Sequence, residues 1–529
     1  MPDWSYQTIF RPLLFLLPAQ TARDITLWTM GSLARLPLGP SIIDWMGHMK
    51  PADGLQQTFL KTNLPGPVGL AGELDRDLLG LPALQRFGFG FLEIGPVTLQ
   101  PLSGEEPVER IVAECAVYDP YPLANLGLLS MLKKLEASPS NGTTRVAKIG
   151  HAPLATPRAA AAEQIFLMQA LSPFCEWFAL DTRFALDTVE WSAAEWEEYF
   201  CLLNQLLQDS ALSVSLLLSF PADLQEAQMN LLVQLALENG IDGLQISGGI
   251  RRQAYGRLYG RSAFLPSLAK VQQLRERYGA SLPLIIEGGI HEPEQALSLL
   301  AHGADLILLH SGLVYSGPGL PKRINEAILH QEQQSVSSMD ATQDVSSRNA
   351  LPRWWSGVLL GLGMIVAGVF AWLVAVTEVL LPYDEAFLGM TRAGIHQINE
   401  RLLHFLAHDR ISLAGTMISI GILYTALSWF ALKRHEHWAR QILLISGICG
   451  FGNLFYFWGF GYFDPLHALI STSLFPFFLH AVWSRYNAPV PVPLPDLTND
   501  RIWRKGLWGQ LCFVIIGCGL LGAGFIISM

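Results

Sequence analysis

Residues 355–381 carry a single charge, Glu378, near their far end. A helix over that stretch is about 39 Å long, enough to cross a hydrocarbon core of about 30 Å with some tilt. A buried helix of a soluble protein is the weaker reading of so long an uncharged run. Three further segments qualify, 411–432, 441–462 and 506–528, and a fifth, 466–484, holds His467, Pro476 and His480. The sequence therefore predicts an all-α domain of about five membrane spans over residues 353–529. Composition agrees: 15% of the 529 residues are charged, against about 25% in soluble domains. Residues 353–529 hold 11 Lys+Arg and 9 Asp+Glu, whereas residues 1–352 hold 24 and 36. The first part is thus strongly acidic, which excludes the basic face that nucleic-acid binding needs. Six cysteines show no CxxC and no metal spacing, which fits a reducing compartment for the first part.

Orientation follows from the basic residues between spans. Arg353 precedes the first span, Lys433, Arg434 and Arg440 lie between the second and third, and Arg485, Arg501, Arg504 and Lys505 lie between the fourth and fifth. These segments are expected on the cytoplasmic side of an inner membrane, together with the preceding domain. In the connection at 391–408, Ile395, Ile398, Leu402, Phe405 and Leu406 recur at helical spacing, and His396, His404 and His408 share roughly one side. Imidazoles so spaced suit haem, metal or quinone; a solvated interfacial helix is the alternative. His467 and His480 join His404 and His408 as candidate metal ligands, because polar groups at membrane depth usually have a partner or a task.

Residues 331–350, QEQQSVSSMDATQDVSSRNA, are polar and read as a flexible tether. The domains expected are a helical extension at 1–45, a barrel at 46–330, a linker at 331–352 and the membrane domain at 353–529. The proline run PVPVPLP at 489–495 is expected to be stiff and extended. Ahead of the tether, eight short apolar runs alternate with helical segments, at 67–71, 91–95, 145–149, 177–181, 213–218, 243–246, 283–286 and 305–309. Such alternation gives an α/β parallel sheet, and eight units fit a closed (β/α)8 TIM barrel. An open doubly wound sheet is the alternative, but no GxGxxG follows the first strand. Barrel sites lie at the C-terminal strand ends, with phosphate often after strands seven and eight. Gly288 and Gly289 follow strand seven, and His310, Ser311 and Gly312 follow strand eight. Gly260 follows strand six. Their backbone N–H groups are the predicted phosphate cradle.

These residues carry a family resemblance. GLAGELDRD at 69–77 resembles the first-strand motif GLAAGLDKD of the class 2, quinone-linked dihydroorotate dehydrogenases. FGFGFLEIGPVT at 87–98 is similar to their MGFGSIEIGTVT, LYGRSAFLPSLAKVQQL at 258–274 to their LSGRPL segment, and HGADLILLHSGLVYSGPGLPKRI at 302–324 to their last strand and phosphate loop. The opening, 6–36, resembles the two-helix extension by which these enzymes touch the membrane and admit quinone. Its run at 10–17 is apolar but too short to span. The resemblance implies FMN at the barrel mouth and quinone as acceptor. It adds Ala71, Gly72 and Arg76 to the candidate cofactor residues.

The chemistry departs from that pattern. The family's NxSSPNTPG loop matches residues 181–187, and its catalytic base falls on Phe184. The substrate loop NRMGFNN matches residues 119–125, where only Asn125 remains. The strand-five lysine falls within Leu216–Leu218, the strand-three asparagine on Lys148, and the first-strand lysine on Arg76. Asp119, Tyr121 and Asp181 are the candidate replacements for the base. Glu73 and Glu287 put carboxylates beside the expected flavin phosphate, where Arg76 or Arg261 would have to pair with them. Two functions follow. One is a degenerate barrel serving as a structural or accessory subunit of a membrane redox complex, partnered by the bilayer and by other subunits. The other is an active FMN-dependent, quinone-linked oxidoreductase, for dihydroorotate or a changed substrate.

Overall fold

A computed structural model of the chain describes residues 2–47, 49–104, 106–210, 212–253, 256–339, 352–434, 436–459, 461–483 and 495–528. It forms two compact units, residues 1–336 with 494–529, and residues 337–493.

In the first unit, eight strands close into a barrel: β1 (Val68–Leu70), β2 (Phe91–Val97), β3 (Thr144–Ile149), β4 (Trp177–Asp181), β5 (Ser215–Pro221), β6 (Gly243–Ser247), β7 (Leu284–Glu287) and β8 (Leu306–Leu309). Each pairs in parallel with its sequence neighbours, and β8 closes on β1. A parallel sheet covered on both faces needs near-continuous apolar strands, and every strand residue except Ser215 is buried. All eight apolar runs therefore become barrel strands. The inward positions alternate at period two. At one end Phe91, Val146, Trp177, Leu217, Ile285 and Leu306 pack with Phe59 and Leu64 of a hairpin, Gln57–Phe59 with Thr62–Leu64. Two residues further along the same strands stand Glu93, Lys148, Ala179, Ser219, Glu287 and Leu308. The barrel is thus apolar at its base and charged toward its C-terminal mouth. A four-stranded sheet, ordered Ile250–Gln253, Gly256–Gly260, Ala116–Asp119 and Glu109–Ile111, grows from the segments after β2 and β6 and so lies at that mouth.

The helices that bear on the site are α1 (Ala19–Arg35), α2 (Arg183–Thr188), α3 (Ser311–Tyr315) and α4 (Leu320–Met339). Ahead of α1, residues 3–14 are also helical, and Leu13, Leu16 and Trp28 of this extension expose their side chains. Helix α4 continues through 331–339, so the expected tether begins as helix. Gln and Glu are good helix formers, and extending an existing helix needs no new nucleus. Residues 340–351, and 489–494 of the proline run, lie outside the described residues. The stretch 494–529, read above as part of the membrane domain, groups with the barrel.

The second unit contains α5 (Arg353–Thr377), α6 (Glu400–Phe430), α7 (His437–Gly459) and α8 (Pro465–Val482); α9 (Arg501–Ser528) belongs to the first. Among the described residues four helices, α5, α6, α8 and α9, are long and apolar enough to cross a membrane, against five expected. The segment at 441–462 is helical within α7 but is not one of the four. The amphipathic helix expected at 391–408 is not one element. A short helix, Arg392–Ile398, ends at Asn399, whose extended backbone (φ −162°) breaks it and whose side chain accepts from the Arg401 N–H to cap α6. His404 and His408 therefore ride in the first turns of a candidate span.

Helices α5 and α6 approach through small residues. A Cβ on Gly361 would stand 2.6 Å from the Gly421 carbonyl oxygen and 2.4 Å from Thr425 Oγ1, and one on Gly357 would stand 2.2 Å from Ser428 Oγ. Close backbone approach of this kind is how spans associate where lipid supplies no hydrophobic drive. Gly361→Leu is expected to force the pair apart and lower the stability of this unit by about 1–3 kcal/mol. Unfolding of detergent-solubilised protein, followed by the fluorescence of Trp354 and Trp429, reads this; an unchanged midpoint would refute the packing.

Candidate functional site

The C-terminal end of the barrel interior is filled by ion pairs. Lys148 Nζ, on β3, lies 3.0 Å from Glu73 Oε1 and 3.0 Å from Glu93 Oε1. Arg183 opens α2; its Nη2 donates to Glu73 Oε1 at 2.7 Å and to Asp181 Oδ2 at 2.6 Å, while Nη1 donates to the Tyr259 hydroxyl at 2.8 Å. Glu93 also accepts from the Gly72 N–H at 3.1 Å and from Gln245 Nε2 at 2.5 Å. The side chains of Lys148, Arg183, Glu73 and Asp181 are wholly removed from solvent. Burial alone would raise the Glu73 carboxyl, but Lys148 and Arg183 more than offset it and hold it well below the usual carboxylate range. Glu93, with Lys148 as its one cationic partner here, is pushed upward by burial.

The residues singled out in the sequence fall around this network. Phe184, at the base position, is fully buried on α2, and its ring packs where a Cβ on Gly150 would lie 2.3 Å away. Asp181 accepts from the backbone N–H, Nε and Nη2 of Arg183. Asp119 forms an ion pair with Arg76 and accepts from the Tyr121 N–H at 3.0 Å. Glu73 and Glu287 find partners other than Arg76 and Arg261. Arg76 takes Asp119, Arg261 takes Glu292 at 2.6 Å, and Glu287 accepts from the Gly248 N–H at 3.1 Å with His310 Nδ1 at 3.4 Å.

The predicted cradle is closed. The space bordered by Gly260, Gly289 and Ser311 is about 10 Å³, walled by Tyr259 and His310, whose rings meet edge to face at 4.4 Å. That is about the room of one water, whereas small-molecule pockets run to several hundred Å³. The glycines serve close backbone contacts instead. Gly289 has φ +62° and a Cβ there would lie 2.3 Å from the Gly260 oxygen, and one on Gly312 would lie 2.0 Å from the Ile290 oxygen. The Ala71 and Gly72 N–H groups donate to the Leu309 carbonyl and to Glu93. Ser311 Oγ is 3.0 Å from His291 Nε2, and Gly288 faces Leu299. FMN does not fit beside these side chains as they stand.

A second cavity, of about 350 Å³, lies between the N-terminal helices and the barrel. Its walls include Phe10, Leu14, Phe15, Ile25, Leu27 and Met30, and its polar end is formed by Glu73, Arg76, Asp119 and His310. In the second unit His404 and His408 sit on α6, and His467 and His480 near opposite ends of α8. His480 Nδ1 pairs with Ser356 Oγ at 2.7 Å. Among the described residues no three His, Cys, Asp or Glu side chains converge to hold a metal, so the structure does not bring the candidate ligands together.

The roles of Arg183, Glu93 and Gln245 are not among the expectations drawn from the sequence. For the two strand residues a signal is present: Glu93 in FLEIG and Gln245 in GLQIS, like Lys148 in TRVAKI, are polar side chains at inward alternate positions of strands whose neighbouring residues are apolar.

No family model matches the chain. It is similar to the dihydroorotate dehydrogenase (quinone) of Sinorhizobium fredii, 31% identical over 331 residues, covering 59% of this chain and 88% of that protein. It is 29% identical over 343 residues to the enzyme of Deinococcus deserti, covering 61% and 94%, and 28% identical over 349 residues to that of Chloroflexus aurantiacus, covering 61% and 96%. The solved structure of DHODH from Eimeria tenella in complex with ferulenol aligns with 57% of this chain and 93% of its own, at 17% identity and a TM-score of 0.48.

Removing one partner of a buried ion pair leaves an uncompensated charge. Arg183→Ala, which strands Asp181 and leaves Glu73 with Lys148 alone, is expected to cost about 3–5 kcal/mol, read as a lowered urea or thermal midpoint. A change under about 1 kcal/mol would show that the network is not formed. His291 gives a pH signature. Burial, aided by Arg261, pushes its imidazole down to about 3 from 6.5. The folded state therefore resists protonation, and the stability this adds is present above pH 6.5 and lost as pH falls toward 3. The thermal midpoint of His291→Gln is expected to vary less over that window than that of the parent.

Proposed function

The chain belongs to the dihydroorotate dehydrogenase (quinone) family, and on that premise we propose that its barrel is a catalytically degenerate member, serving as a structural or accessory part of a membrane redox assembly. The observation that carries this reading is Arg183. Its guanidinium, with Lys148, Glu73 and Asp181, fills the barrel mouth with paired charge. Oxidising a dihydroorotate-like substrate requires a group that takes a proton within hydrogen-bond reach. Phe184 offers none, and Asp181 is committed to Arg183. Mutual neutralisation of these four groups stabilises a closed mouth and leaves none of them free to meet a substrate carboxylate.

The apolar cavity supports retention of the quinone-facing half of the family's design. Its 350 Å³ suit an apolar-tailed quinone, with Arg76, Asp119 and His310 toward the head group. We further place the protein as integral to an inner membrane with the barrel on the cytoplasmic side. Lys433, whose ammonium lies 4.8 Å from the rings of both Trp354 and Trp429, supports this, since aromatic and basic residues gather at membrane interfaces.

Two measurements on the purified full-length protein test the reading. After incubation with FMN and desalting, the visible flavin absorption band is expected to be absent, and dihydroorotate is expected not to reduce a soluble quinone. Near-stoichiometric flavin together with turnover would overturn the proposal in favour of an active flavoprotein.

A further inference from the structure

Beyond the barrel mouth, the best-defined unexplained contacts lie where residues 495–507 return to the barrel. Asn499 Nδ2 donates to the His291 carbonyl at 3.0 Å and to Ser316 Oγ at 2.8 Å, while its Oδ1 accepts from Arg323 Nη1 at 2.8 Å. One amide side chain thus uses both its donor and its acceptor on groups that follow β7 and β8. Two residues earlier, the Leu497 carbonyl accepts from the Glu294 N–H at 3.2 Å. Asp500 then caps α9, accepting from the Trp503 N–H at 2.7 Å. The cap orients the first turn of α9, so that the Trp503 ring lies 4.6 Å from the Arg323 guanidinium. Trp503 and Leu507 are both buried, at 7% and 4% exposure.

Arg323 also reaches the other end of the chain. Its Nε stands 2.9 Å from Asp3 Oδ2. Asp3 packs closely on Gly319, where a Cβ would lie 2.2 Å from Asp3 Oδ1 and the carboxylate would have to shift. A single guanidinium therefore carries a carboxylate from the N-terminal helix, an amide from the C-terminal segment and an aromatic face from α9. Arginine suits this role, because its planar, delocalised charge stacks and donates at once. The first helical residues, 3–10, pack directly on α9.

We infer that residues 495–507 form an intramolecular latch, which binds the last candidate span to the face built from His291, Ser316 and Arg323. The barrel, its N-terminal helices and α9 are then one body, and residues 337–493 are inserted in sequence between two parts of it. The occupant of this face is the chain's own C-terminal segment. In this arrangement the latch, and not the polar stretch at 331–352, sets how the barrel is held to the membrane.

The test uses the full chain with specific protease sites placed within 340–351 and 484–494 and an affinity tag at the C-terminus. After both cuts in detergent, the barrel fragment is expected to be recovered with the tagged C-terminal fragment. Loss of the barrel from that fraction in the otherwise unaltered protein would overturn the inference. Arg323→Ala with Asn499→Ala is expected to lower recovery at least about fivefold, since several buried hydrogen bonds are lost together; recovery equal to the parent would also overturn it. Should the double variant fail to fold, Trp503→Ala leaves every barrel residue in place. It is expected to lower recovery while the circular dichroism and thermal transition of the barrel stay unchanged, and undiminished recovery would count against the latch.

Discussion

Four charges buried at the mouth of a barrel, Lys148, Arg183, Glu73 and Asp181, must neutralise one another, while burial pushes Glu93 beside them toward its neutral form, and the rest of the upper barrel is arranged around that requirement. Each ion taken from water costs several kcal/mol, which mutual attraction offsets only when geometry is good and the remaining polar atoms find partners. Lys148 is shared by Glu73 and Glu93, and Arg183 by Glu73 and Asp181. Tyr259, Gln245 and the Gly72 N–H take up further donors and acceptors. The network also accounts for α2, a turn of helix whose first residue must turn inward for its guanidinium to reach both β4 and the segment after β1.

The two cavities then have opposite characters for one reason. Toward the cradle, charged and aromatic side chains meet at the strand ends and leave about 10 Å³. Toward the N-terminal extension, the facing surfaces are largely apolar and about 350 Å³ stays open. His310 stands at the boundary between them, lining both. The strand ends are thus packed with paired charge, while the recess beside the N-terminal extension is apolar.

Much of this architecture is legible in the amino-acid sequence. Each of the eight apolar runs forms a strand, because parallel strands buried on both faces have no choice but to be apolar. The departures at Phe184 and Lys148 are visible as residues of the wrong chemistry in a familiar frame. What those residues do instead is not visible there. Glu73 and Lys148 are 75 positions apart and Arg183 and Tyr259 are 76 apart, and only closure of the barrel puts them within hydrogen-bond reach. The helix expected at 391–408 is broken for a local reason, since apolar periodicity continues through Asn399 but the helical backbone does not.

The sequence by itself determined the architecture: a parallel barrel, helices that precede it, and apolar helices that follow. Burial of apolar surface depends on periodicity and length, and both are local properties of the chain. Tertiary structure alone decided which charged positions pair with one another, and that the last helix groups with the barrel. Those outcomes turn on Coulomb and hydrogen-bond interactions, which act over a few ångströms and so exist only once distant strand ends, the N-terminal helix and the start of the last helix have been brought together.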